Sequence, residues 1–173
     1  MRSNGQLRRM QGFALIEIVV VAAIFACLTA VVMPRAANFY REAALEYETQ
    51  HLLADIRRAQ SLSRLLVESG WGYGSDTSYK QLVEIDIKPD EYTLSAQSIK
   101  GSEFLTHHYL PLVHVRRKDN SVGGKLSFDK NGGLTNKGTQ MMTLVIYCEG
   151  QEEKKRRIMI SKAGRIRLER GAW

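Results

Sequence analysis

The sequence predicts an α+β protein in which one long N-terminal helix, apolar all round at first and amphipathic later, packs on a small antiparallel β-sheet domain. Three observations carry this. Phe13–Met33 is a run of 21 residues in which Glu17 is the only charge. Residues 36–66 then contain neither Gly nor Pro and repeat apolar positions at helical spacing. From Val83 onward the apolar period changes to two.

The first segment has the dimensions of a membrane span, since at ~1.5 Å rise per residue a helix of that length crosses roughly the ~30 Å hydrocarbon core of a bilayer. Ahead of it Arg2, Arg8 and Arg9 stand without any acid, a bias that keeps this end in the cytoplasm and sends the rest across. A secretory signal peptide has a shorter apolar core, roughly 7 to 15 residues, and a small-x-small cleavage site. The run here is longer and TAVVMPRAAN offers no convincing A-x-A, which favours a retained anchor.

Pro34 interrupts the pattern and should bend or loosen the helix by removing one backbone donor. Beyond it Leu45, Leu52, Ile56, Ala59 and Leu66, with Leu53 beside them, form one stripe for a globular core. The cluster GWGYGSDTS at 70–78 should end the helix. Val83, Ile85 and Ile87 alternate with Glu84, Asp86 and Lys88 before the turn KPDE, and YTLSAQ is the returning strand. HHYLPLVHV, KLSF, MMTLVIYC, RRIMIS and RIRLE complete the predicted strands, the last four separated by DKNGG, CEGQEE and SKAG.

With 173 residues and a formal charge of +7, the chain suits one modest domain plus an anchor. Cys27 lies in the apolar run and Cys148 in the polar part, so both read as free thiols with packing roles. His107, His108 and His114 have no completing Cys or carboxylate spacing for a metal. Ser, His and Asp occur without a nucleophile elbow. The glycines at 70, 72 and 74 lack the Lys-Ser/Thr of a phosphate loop. No catalytic activity, metal or cofactor is therefore expected. Arg116, Arg117 and Lys118 run into Asp119 and Asn120 and read as a solvated turn.

The order of basic leader, Gly12, Phe13, Glu17, apolar helix, Pro34, amphipathic helix and small sheet resembles the type IV pilin and pseudopilin superfamily. The resemblance implies that a prepilin peptidase cuts between Gly12 and Phe13 and methylates the Phe13 amine. It implies a leader over 1–12, a transmembrane and assembly helix over 13–34, an amphipathic helix over 35–69 and a β-rich domain over 70–173. Removal of the leader takes three arginines and no acid, leaving 22 basic and 18 acidic residues, net +4. Glycine leaves a protease unobstructed at the cut. An acid at mid-bilayer costs about 2.5 to 3.5 kcal/mol, less near the interface, so Glu17 invites a pairing explanation. In the family its partner is the N-terminal amine of a neighbouring subunit; the alternative is that Glu17 snorkels to the head groups. The implied partners are the peptidase, other pilin or pseudopilin subunits, the inner-membrane assembly platform and membrane lipid. The implied location is a single-pass inner-membrane protein with its C-terminal domain outside the cytoplasm. Ala14 stands where many relatives have threonine.

The tail, GGKLSFDKNGGL to RRIMISKAGRIRLERG, resembles the GspH/FimT group of minor pilins, whose domain ends in a G-R-x-R element, here Gly164, Arg165, Ile166 and Arg167. Relatives often show an A-R-S-E-A-like run where this chain has RRAQSLSR at 57–64. As a strand, RIRL directs Ile166 and Leu168 inward and leaves Arg165 and Arg167 on one outer face, their Cα atoms roughly 6.6 to 6.8 Å apart. Forked guanidinium groups bind phosphate bidentately, and Lys154, Lys155, Arg156, Arg157, Lys162 and Arg170 add charge against Glu152, Glu153 and Glu169. In some relatives the element is associated with DNA capture during natural transformation. The other reading is that these cations keep an edge strand soluble or touch anionic lipid.

Overall fold

The computed structural model describes residues 4–68, 83–98, 101–118, 124–135 and 141–171. Helix α1 runs Asn4–Glu68 and carries Pro34 inside it. The helical pattern continues across the proline, so the missing donor does not end the element. By its contacts the chain divides into two units, Met1–Tyr40 and Arg41–Trp173.

In the first unit every described side chain from Leu15 to Tyr40 is exposed. An 18-residue stretch of this helix has mean hydropathy 2.8 with none of it buried, long and apolar enough to cross a membrane. A helix suits that solvent because its backbone groups are satisfied internally. The one hydroxyl in the stretch follows the same rule: Thr29 Oγ1 donates to the carbonyls of Phe25 at 2.9 Å and Ala26 at 3.0 Å.

In the second unit α1 becomes one-sided. Ala44, Leu45, Leu52, Leu53, Ile56 and Ala59 are buried, the predicted stripe; the Leu66 side chain lies outside the described residues. Against it lie two four-stranded antiparallel sheets. The first has the order β3 (Gly101–His108), β2 (Glu91–Ser98), β1 (Val83–Ile87), β5 (Gly124–Ser127). The second has the order β4 (Val113–Arg117), β6 (Met141–Cys148), β7 (Arg156–Ser161), β8 (Ile166–Arg170). Ile85, Ile87, Leu94 and Leu126 from the first sheet and Val115, Leu144, Ile146, Ile158 and Ile160 from the second share one core with the helix stripe. Alternation explains this, since successive strand residues face opposite sides.

Two features depart from the sequence expectation. HHYLPLVHV is not one strand: His107 and His108 end β3, and β4 begins at Val113. Between them Pro111 supplies no donor and Leu112 adopts φ 76°, a left-handed conformation rare for a side chain that size. The second departure is β3 itself, which sequence periodicity did not mark. It is an edge strand whose Phe104 is exposed, so backbone pairing to β2 rather than a buried face defines it. The predicted loop at 70–78 lies outside the described residues.

Candidate functional site

Two places carry the sequence-predicted residues. In the first, Gly12 and Phe13 fall within α1, and the Phe13 side chain lies outside the described residues. Glu17 is exposed on the same helix among exposed Leu15, Ile16 and Ile18, and Pro34 is exposed further along. The carboxylate thus stands on an apolar helix surface, not in a core.

The second place is the outer edge of the second sheet. Ile166 and Leu168 pack partly buried against the core, and Arg165 and Arg167 are both exposed, as alternation requires. Arg165 precedes β8 rather than belonging to it. Its backbone is nonetheless fixed: Ser161 N–H donates to Arg165 O at 3.0 Å, and Arg165 N–H donates to Ser161 Oγ at 3.1 Å. Gly164 N–H closes the turn on Ser161 O at 2.8 Å, with Gly164 at φ 79°, where a side chain would be strained. Neither arginine forms an ion pair among the described residues.

The cations expected to add charge around this pair do not all face outward. Arg156 is buried and its Nε lies 3.2 Å from Glu46 Oε2 on α1; Arg170 Nη2 lies 2.6 Å from Glu46 Oε1. Lys154 Nζ lies 2.9 Å from Glu42 Oε2. Three basic side chains are therefore turned toward the helix. Hydrogen bonding from Arg170, with Gln50 and Arg156 adding to it against the opposing effect of burial, lowers the Glu46 pKa from 4.5 to about 2. Sequence reading missed this junction because its partners lie 110 and 124 residues apart; the acids one turn apart at Glu42 and Glu46 were the local signal. Arg116 also departs from the expected solvated turn, lying in β4 with its guanidinium 4.9 Å from the centre of the Tyr147 ring.

The histidines join ordinary polar packing. His107 Nε2 lies 2.8 Å from Glu48 Oε2, while Glu48 Oε1 accepts the Leu110 N–H at 2.9 Å. His51 stacks on His107 with ring centres 4.1 Å apart and contacts the Tyr92 hydroxyl, which donates to Asp55. Burial first, then Asp55, pushes the Tyr92 pKa upward. Among the described residues no group of three or more His, Cys, Asp or Glu side chains is arranged to hold a metal ion. Cys27 is exposed, Cys148 is buried, and neither is in a disulfide.

Residues 7–33 match the model of the prokaryotic N-terminal methylation motif. No curated protein is detectably similar in sequence. The fold is similar to that of the Pseudomonas aeruginosa type IV minor pilin FimU in two crystal forms. In the first, identity is 22% over 74% of this chain and 91% of that one, with a TM-score of 0.47. In the second, identity is 21% over 75% and 87%, with the same TM-score of 0.47.

Acid should unfasten the Glu46 junction. A carboxyl whose pKa is lower in the folded state stabilises the fold above its unfolded value, and that contribution disappears as pH falls toward the folded value. Thermal unfolding of the detergent-solubilised chain should show Glu46→Gln less stable than wild type by a constant margin above pH 4.5, shrinking between 4.5 and about 2. A margin independent of pH over that window would contradict the assignment.

Proposed function

We propose that this chain is a minor pilin or pseudopilin of the type IV pilin superfamily, a reading supported by the N-terminal methylation motif at residues 7–33. In this reading prepilin peptidase cuts between Gly12 and Phe13 and methylates the new amine. The mature subunit is held in the inner membrane by Phe13–Met33 until an assembly platform adds it to a filament, with the β-rich domain outside the cytoplasm. The observation that carries the reading is the coincidence of that motif with a helix exposed at every described position from Leu15 to Tyr40. Such a surface needs lipid or other apolar helices around it.

Glu17 has its role at the moment of transfer. Cleavage before Phe13 creates a cation one helical turn from the Glu17 carboxylate. The amine of one subunit and the Glu17 of its neighbour then neutralise one another in a medium that penalises either alone. Pro34, which already lacks a backbone donor, contributes a place where the helix can loosen inside the packed filament.

A second reading is favoured by the state of the G-R-x-R element. Arg165 and Arg167 remain exposed while Arg156, Arg170 and Lys154 turn to acids on the helix. Two outward guanidinium groups at strand spacing suit a phosphate backbone, so in this reading the displayed domain binds DNA through the G-R-x-R element during DNA uptake for natural transformation.

The two readings have separate tests. Glu17→Ala should be cleaved normally yet fall at least about tenfold in sheared filament fractions, the ratio that ~1.4 kcal/mol of lost pairing represents; wild-type incorporation would contradict the pairing role. Arg165→Ala/Arg167→Ala should weaken retention of duplex DNA in a gel-shift assay and flatten its salt dependence. Retention equal to wild type would remove DNA binding from this element.

A further inference from the structure

The turn that presents Arg165 does not stand alone. Gln60 on α1 reaches it: its Nε2 donates to Gly132 O and to Gly164 O, each at 2.7 Å. The two acceptors come from loops 32 residues apart in sequence that touch through their backbones. A Cβ placed on Gly164 would lie 1.9 Å from Gly132 O, and both glycines have positive φ, 78° and 79°. Leu134 N–H, donating to Lys162 O at 3.0 Å, adds a further tie between the same two loops.

The loop on the far side is itself stiff. Asp129 Oδ1 accepts the N–H groups of Asn131 at 2.9 Å and Gly133 at 2.7 Å, and Ser63 Oγ, one helical turn from Gln60, donates to Asp129 O at 3.1 Å. Gly132 is therefore a fixed abutment for Gly164. A primary amide matches two converging carbonyls without adding a charge, because its one nitrogen carries two hydrogens. A hydrocarbon of the same length would leave both carbonyl oxygens without that donor.

We propose that Gln60 is a positioning residue for the Arg165–Arg167 ledge, clamping the Gly164 turn against the Gly132 loop so that both guanidinium groups meet a polyanion at one fixed spacing. The proposal rests on the DNA-binding reading above and adds a helix residue whose amide bonds the backbone of the turn. Without the clamp the arginines keep their charge but lose their common geometry. Long-range attraction then survives, whereas simultaneous contact with neighbouring phosphates does not.

The test uses the full chain in detergent, a short labelled DNA duplex and a titration of salt. Gln60→Met keeps length and neutrality and removes the donors. It should weaken binding about three- to tenfold and lower the log–log salt slope by about one, the loss of one phosphate contact. In an Arg165→Ala/Arg167→Ala background the same substitution should have no further effect, which a general loss of stability would not reproduce. If Arg165→Ala/Arg167→Ala weakens binding while Gln60→Met binds with the wild-type affinity and slope, the positioning role is overturned and the DNA reading stands. If the double arginine variant binds as wild type, or wild type does not bind, the DNA reading falls and takes the role with it. Should Gln60→Met fail to melt cooperatively, Gln60→Asn decides: its amide stands one methylene short, so a wild-type salt slope would overturn the clamp.

Discussion

Everything in this chain depends on a single helix having to satisfy two different surroundings. From Leu15 to Tyr40 no described side chain is buried, whereas from Ala44 to Ala59 one stripe is almost completely so. A helix can do both because its hydrogen bonds are internal and do not depend on what lies outside. Only the side-chain pattern changes along its length. The apolar part has no polar face to show to water, and the amphipathic part supplies the central ridge of a folded domain.

Within Arg41–Trp173 the helix also organises the sheets. Leu45, Leu52 and Ile56 fill the core, and polar side chains from other turns tie down particular strands. Glu46 holds Arg156 and Arg170 at the start of β7 and the end of β8. Glu48 and Asp55 serve His107 and Tyr92 of the first sheet. Gln60 and Ser63 fasten the two glycine-bearing loops at the other end. These ties draw Arg156, Arg170 and Lys154 toward the helix, while Arg165 and Arg167, with Lys162, stay exposed. What distinguishes the element chemically is this sorting, not the local number of basic residues.

Much of this was legible in the sequence, and the exceptions share a cause. The stripe at Leu45, Leu52, Ile56 and Ala59, the alternation of β1 and the strands RRIMIS and RIRLE follow from periodicities that neighbouring residues set for themselves, while MMTLVIYC is legible as a continuous apolar run buried on both faces. The β3 edge strand was not legible because a partner's backbone defines it. The break at Leu112 was hidden because a left-handed leucine has no compositional mark. The Glu46 junction and the Gln60 clamp join residues more than seventy positions apart, so no local pattern announces them. The motif around Gly12, Phe13 and Glu17 is the opposite case, since the residues that carry it are local in sequence and a family model spans them.

Under the proposed function the N-terminal segment is a signal that is read once and then altered, a basic leader being removed and the new amine becoming the counterpart of Glu17. The most direct measurement is intact and N-terminal peptide mass spectrometry of the protein from cells that contain a prepilin peptidase. The predicted mature chain begins at Phe13 and carries one methyl group on its amine, and the same chain from peptidase-deficient cells retains residues 1–12. A leader still attached in peptidase-containing cells, or cleavage at any other bond, would contradict the account.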